Sequence, residues 1–215
     1  MINDQLLQWL LEGDVSVQYQ VQRDLIGSAE PALRDRIASE GWGARFLAAR
    51  QENGHWGQGF YQPKWISSHY TLLDLRHLDL PRDHPVPAET ISLILRDQKA
   101  EDGGINPGKT IKESDVCING MFLTYACYFG VDQAELHSGV DFVVSQQMAD
   151  GGFNCMSNRS GAVHSSLHTT SSILEGIHEY AARGYEYRLA ELQEIAAQSR
   201  EFILLHRLFR SDHTG

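Results

Sequence analysis

Near the predicted starts of two helices lie three residues whose side chains are of types that bind zinc. Asp115 and Cys117 are two residues apart at one helix start, and His168 opens a later helix. Zinc accepts carboxylate, thiolate and imidazole ligands, and a catalytic zinc site has three protein ligands and one open position. The sequence therefore predicts a zinc site formed by Asp115, Cys117 and His168. A cysteine at a helix start is also commonly a small buried apolar side chain, and that alternative stays open.

The same sequence plan precedes each of these helix starts: a glutamine, a glycine turn and then a polar loop. The glutamines are spaced by 47 and 49 residues, and the plan joins Gln51 to His69, Gln98 to Cys117 and Gln147 to His168. Self-similarity at this period is typical of helical-hairpin repeats. Equivalent positions in neighbouring repeats line the same end of such an array. His69 is therefore predicted to act as a general base, or as a fourth ligand, beside the zinc site.

The remaining chain is predicted to form the helices that carry these loops. Apolar residues recur at helical spacing and almost no segment alternates like a β-strand, which predicts an all-α fold. We expect one domain over 1–215, with hairpin repeats near 42–80, 88–130 and 132–183 and a partial unit from 187. Closing a ring takes roughly five to six such units, so the chain is either an open arc or part of a longer protein.

The repeats resemble those of the terpenoid cyclase and protein prenyltransferase superfamily, through the Gln-x-x-Asp-Gly-Gly turn at 147–152 and the Trp-Gly turn at 56–57. The stretch from Trp9 to Leu25 is also similar to squalene-cyclase-like bacterial proteins. The resemblance implies an α/α toroid whose inner helices surround an active site with their N-termini. In the prenyltransferases, an Asp-x-Cys pair and a histidine before threonine bind catalytic zinc, and Asp115-Val116-Cys117 and His168-Thr169 match this pattern. The implied function is a zinc enzyme that acts on an apolar, isoprenoid-like substrate in the barrel cavity.

The resemblance also has limits, and it leaves other roles open. The acidic Asp-x-Asp-Asp stretch with which squalene-hopene-type cyclases protonate their substrates does not occur in this sequence. The cavity is expected to include Trp56, Asn119, Phe153 and His164 in its wall. Cys155 and His164, which lie in the same loop, are alternative metal ligands.

Two other functions compete with the zinc enzyme. One is a non-catalytic α/α repeat module that binds a hydrophobic ligand or a protein. The other is a carbohydrate-active toroid in which Asp102 and Asp150, at the same repeat phase, form an acid–base pair. An aspartate that precedes Gly-Gly ordinarily caps its own turn, which is the simpler role for both.

Composition restricts the expected partners. The chain carries 28 acidic and 18 basic side chains, a net charge of −10, and no cluster of Lys or Arg, so nucleic acid and anionic membranes are not expected partners. No apolar run is long enough to cross a membrane, and the N-terminus lacks the features of a secretory signal. The three cysteines are an odd number and do not indicate a disulfide framework, so we expect reduced thiols and a cytoplasmic protein. The expected partner is a small apolar substrate or ligand. The oligomeric state is not predicted.

Overall fold

The structure is a computed structural model that describes residues 3–28, 30–108 and 111–210. These residues form helices joined by turns and loops. They contain no β-strand, and their one β-type pairing is an isolated antiparallel bridge between Lys99 and Ile105. The predicted all-α fold is thus confirmed. Within the described ranges, no helix is both long enough and apolar enough to cross a membrane. The chain forms two compact units, one up to Thr90 and one from Ile91, and the expected single domain over 1–215 stays a prediction.

The first unit is built from short helices. They are α1 (Asp4–Leu11), α2 (Val15–Val21), a π-helical turn (Gln22–Ile26), α3 (Pro31–Asp35), a 3₁₀ turn (Arg36–Ala38), α4 (Gly41–Ala48) and α5 (Ser68–His77), and α6 (Pro85–Gln98) begins here. Asp14 joins the starts of two of them, because its carboxylate accepts the N–H groups of Ser16 at 3.0 Å and Trp42 at 2.9 Å. Ile37, Leu72 and other apolar side chains without exposed surface form the core.

The second unit contains longer helices. They are α7 (Val116–Tyr128), α8 (Gln133–Ser145), the single turn α9 (Ser157–Ser160), α10 (Leu167–Ala182) and α11 (Leu189–Leu205). Helix α7 has no charged residue and is buried along almost its whole length, as expected for a helix that is apolar on all sides. The side chain of Asp132 caps α8, as its position before the helix indicates, by accepting the N–H of Ala134 at 2.9 Å.

Helices α7 and α10 run in parallel with their backbones in near contact. A Cβ atom on Gly120 would lie 2.6 Å from the carbonyl oxygen of Ser172, and one on Gly176 would lie 2.6 Å from the carbonyl oxygen of Gly120. Leu123, one turn further along α7, also faces Gly176. Glycine is required at both positions because any side chain would push the helices apart. The parallel arrangement places the N-termini of α7 and α10 at the same end of the second unit.

A glycine turn precedes each of α5, α7 and α10, and the three turns share a hydrogen bond. In each, a buried apolar residue donates its backbone N–H to a polar side chain of the following helix. The pairs are Trp56 with Ser68 at 3.1 Å, Ile105 with Asn119 at 2.7 Å and Phe153 with Thr170 at 3.0 Å. The next long helix contributes a second bond in two turns, where the hydroxyls of Thr90 in α6 and Ser199 in α11 donate to the carbonyls of Gly54 and Gly151.

Candidate functional site

Cys155 brings the first turns of α7 and α10 together. Its sulfur accepts the backbone N–H of Cys117 at 3.1 Å and the hydroxyl of Thr169 at 3.4 Å. Cys117 is the second residue of α7 and Thr169 the third residue of α10, so both donors belong to helix N-termini. The two thiols also act on each other's titration, so that the pKa of Cys155 falls and that of Cys117 rises. Two thiols from different elements thus meet where two helix dipoles favour negative charge.

The loop that carries Cys155 is held on both sides by asparagine side chains. Asn154 donates to the carbonyl of His164 at 2.7 Å and accepts the N–H of Met156 at 2.9 Å, which closes the loop on itself. Asn158, in α9, donates to the carbonyl of Ser114 at 2.9 Å, directly before α7. These bonds position the Cys155 sulfur against the start of α7.

The two sulfurs have unequal acidities. The side chain of Cys117 is the main cause that lowers the pKa of Cys155 from 9.0 to about 7. Burial and the Asp115 carboxylate oppose this change, whereas the Thr169 hydroxyl and the Cys117 N–H add to it. The side chain of Cys155, together with burial, raises the pKa of Cys117. From neutral pH upwards the pair therefore holds one proton, with Cys155 as thiolate and Cys117 as thiol.

Cys127, which also lies in α7, is a buried thiol with a raised pKa. It has 1% of its surface exposed, and burial, with a smaller contribution from the negative charge of Glu179, raises its pKa. Such a thiol is unreactive because the thiolate is the nucleophilic form. The pairing of Cys117 and Cys155, and not their residue type alone, distinguishes the site.

The predicted metal ligands are only partly brought together. Asp115 occupies the N-cap position of α7, and its charge acts on both Cys117 and Cys155. His168 is exposed and lines a cavity together with His164. No group of three or more His, Cys, Asp or Glu side chains that could hold a metal ion occurs in the described part of the chain. The zinc site of Asp115, Cys117 and His168 stays a prediction, since a catalytic zinc needs three protein ligands.

His69 lies in the first unit, buried among aromatic rings. The ring centroids of Tyr70, Phe60 and Tyr61 are 5.1, 5.5 and 5.6 Å from that of its imidazole, with Tyr70 and Phe60 edge-on. His69 has no exposed surface, and burial lowers its pKa from 6.5 to about 3. A general base works best when its pKa is near the working pH, so these surroundings are those of a neutral core histidine.

Three of the four residues expected in a cavity wall have structural roles. Trp56 is buried, and its indole N–H donates to the carbonyl of Phe46 at 2.6 Å. Asn119 exchanges two hydrogen bonds with the backbone of Ile105 and lines a cavity of about 10 Å³. Phe153 has no exposed surface. These three side chains shape the turns.

Both candidate acid–base carboxylates are directed into their own turns. Asp102 accepts the N–H and the hydroxyl of Ser114, both at 2.7 Å, and the N–H of Gly104 at 3.1 Å. Asp150 accepts the N–H and hydroxyl of Ser165 in the same way, with the N–H at 2.8 Å. A glycosidase pair must face one another across a cleft, which these two carboxylates do not do. The simpler role as turn caps agrees with the geometry.

Residues His164 and His168 line the largest cavity described for the second unit, of about 300 Å³. The cavity lies between the start of α10 and the end of α11, where His206 and Phe202 contribute to its wall. The sequence did not predict that α11 contributes to the wall of this cavity. The periodicity of α11 predicts its apolar face, but no local pattern indicates what that face meets.

Comparisons of this chain with protein-family models, curated proteins and solved structures gave no match. The resemblance to the terpenoid cyclase and prenyltransferase superfamily therefore rests on the turn motifs and on the Asp-x-Cys and His-Thr pairs.

Proposed function

We propose that the protein is a thiol-dependent oxidoreductase whose centre is the Cys117–Cys155 pair. The observation that carries this proposal is the environment of the Cys155 sulfur, which accepts hydrogen bonds from one backbone N–H and one hydroxyl at the starts of two helices. A thiolate next to a protonated thiol is the arrangement in which the first sulfur attacks and the second resolves.

The chemistry requires a two-electron oxidant, and a hydroperoxide is the class that a low-pKa thiolate reduces directly. The Cys155 sulfur attacks the outer peroxide oxygen, the O–O bond breaks, and the alkoxide leaves with a proton as an alcohol. The resulting sulfenic acid is attacked by the Cys117 sulfur, which forms an S–S bond and releases water. A dithiol reductant then returns the pair to the thiol form by thiol–disulfide exchange.

The chain's own groups contribute to each step. The donors at the helix starts stabilise Cys155 as thiolate, and the backbone N–H of Cys117 already contacts its sulfur, so the second thiol belongs to a residue in direct contact with the first. Attack by this resolving thiol competes with further oxidation of the sulfenic acid.

The proposal is tested by the pH dependence of Cys155 alkylation, followed by peptide mass spectrometry. We expect half-maximal reactivity near pH 7 for Cys155 and no reaction of Cys127 in the native protein. Thr169→Val removes the hydroxyl and should raise the midpoint by about half a pH unit or more, whereas Thr169→Ser should retain it. A midpoint near that of a free thiol would overturn the proposal.

A second measurement identifies the product of oxidation. One equivalent of hydrogen peroxide should give a Cys117–Cys155 disulfide in the wild-type protein. In Cys117→Ala the reaction should stop at a sulfenic acid on Cys155, which dimedone traps. Cys127→Ala is the matched control and should form the disulfide normally. A disulfide that involves Cys127, or none, contradicts the assignment.

We also propose that the helices belong to an α/α toroid of the terpenoid cyclase and prenyltransferase kind. The shared turn hydrogen bonds and the parallel, closely packed α7 and α10 support a repeat of inner and outer helices. An experimental structure without this inner–outer order would contradict it.

The zinc enzyme predicted from the resemblance remains a separate hypothesis with its own test. Stoichiometric zinc in protein purified without added metal, lost in both Cys117→Ala and His168→Ala, would support it and would overturn the dithiol proposal. Zinc content that is low, or unchanged in these variants, would contradict the zinc hypothesis.

A further inference from the structure

The cavity at the start of α10 combines cationic and imidazole side chains with an apolar wall. Its polar groups come from two places: His164 and His168 from the loop and first turn of α10, and His206 and Arg210 from the segment after α11. Neither Cys117 nor Cys155 lines it. A binding role for this cavity, which we call the histidine pocket, is therefore independent of the thiol chemistry.

The apolar part of the histidine pocket is built around Phe202 and the neighbouring ring of His206. Phe202 has 3% of its surface exposed, and its ring lies 4.2 Å from the imidazole of His206 between centroids. The Nδ1 atom of His206 lies 2.7 Å from the carbonyl of Phe202, so this nitrogen carries a proton and donates it to the carbonyl. The imidazole is thereby oriented by the same helix that supplies the apolar wall. Phe209 and Leu167 complete that wall.

The charge of the histidine pocket favours an anion. Arg210 supplies a permanent positive charge, and its guanidinium packs 5.8 Å from the ring centroid of Phe209. Asp150 is the one acid in the described lining, and its oxygens already accept the N–H and hydroxyl of Ser165. Burial alone would raise the pKa of Asp150, but these bonds outweigh it and hold the pKa below its usual value. Its carboxylate is thus committed to the turn, whereas Arg210 faces the cavity.

We propose that the histidine pocket binds a small amphipathic anion, a carboxylate or phosphate on an apolar body about the size of one aromatic ring. The volume of about 300 Å³ is at the lower end for small-molecule sites, which limits the ligand to this size. The anionic group pairs with Arg210 and receives hydrogen bonds from the imidazoles, and the ring packs against Phe202 and Phe209.

Calorimetric titration of the full chain tests this with phenylacetate, phenyl phosphate and the neutral phenylacetamide. We expect saturable binding of at least one of the two anions, at least about tenfold tighter than binding of the amide, because the amide lacks the charge. The stronger anion identifies the acidic group. Equal binding of amide and anions, or no saturable binding of either anion at about 10 mM, would overturn the proposal.

Variants locate the site. Arg210→Gln should weaken anion binding by about fivefold or more, while Arg210→Lys keeps the charge and should retain most of it. Arg200→Gln is the matched control, because Arg200 is an exposed arginine of α11 outside the lining. Thermal melting of each variant checks that folding is intact. If Arg210→Gln binds like the wild type, or if Arg200→Gln weakens binding as much, the anion does not occupy the histidine pocket.

Discussion

The thiol groups of the three cysteines lie in three different environments. Cys127 is buried in α7, and burial keeps its thiol protonated. The Cys155 sulfur accepts two hydrogen bonds, from a backbone N–H and a hydroxyl, which stabilise its thiolate. The side chain of Cys155, together with burial, raises the pKa of Cys117. Reactivity at the residue scale therefore depends on which donors a sulfur meets, and the two helix starts supply them.

The buried imidazole of His69 makes stability depend on pH. Burial lowers its pKa to about 3, so between pH 6.5 and about 3 the unfolded chain binds a proton at His69 that the folded chain does not. The free energy of unfolding then falls as the pH falls through this window, by about 1.4 kcal/mol per pH unit. We expect the wild type to lose about 2 kcal/mol more than His69→Phe between pH 7 and pH 5.

Urea unfolding at the two pH values measures this difference. His178→Phe, which replaces an exposed histidine of α10, is the control and should keep the wild-type pH dependence. If His69→Phe loses as much stability on acidification as the wild type does, His69 is not neutral and buried in the folded protein.

At the scale of helices, the close approach of α7 and α10 depends on two glycines. Gly120→Ala and Gly176→Ala each place a Cβ 2.6 Å from a backbone oxygen, which cannot rotate away. We expect each to lower the free energy of unfolding by about 1 to 3 kcal/mol through overpacking. Because the first turns of both helices hold Cys155, these variants should also raise the pH midpoint of its alkylation.

Gly139→Ala provides the matched comparison in α8, where an added Cβ meets no atom within 4 Å. Alanine is the better helix former, so this variant should gain up to about 1 kcal/mol. Equal effects of the three substitutions in thermal or urea unfolding would show that α7 and α10 do not touch through their backbones.

For the whole molecule, the recurring turn contact has an energetic consequence. Ser68 and Thr170 each accept the N–H of a buried turn residue, in the first and second unit respectively. Ser68→Ala and Thr170→Val leave that N–H unsatisfied and should each cost about 1 to 3 kcal/mol. The hydrogen bonds described for Ser68 and Thr170 involve different partners, so the double variant should equal the sum of the single variants within about 0.5 kcal/mol.

Unfolding of the two single variants and the double variant measures this additivity. A double variant that differs from the sum by more than about 1 kcal/mol would mean that the two turns interact directly. A negligible cost of either single substitution would mean that its hydrogen bond is not formed in solution.

The helical class, the glycine turns and their caps follow from local features of the sequence. Asp132 before α8 and the Asp-Gly-Gly turns of Asp102 and Asp150 are predictable because capping bonds join residues close together in the chain. Periodicity and caps are local properties, and local bonds do not need the rest of the fold.

The contact between Cys117 and Cys155 depends on the tertiary structure and cannot be read from the sequence. Consecutive helical residues point about 100° apart, so Thr169 faces Cys155 while His168, one residue earlier, faces the histidine pocket. The spacing of the repeat in the sequence does not distinguish two residues that are one position apart. The path of the loop that brings Cys155 to Cys117 depends on long-range bonds such as that from Asn158 to Ser114, which no sequence spacing encodes.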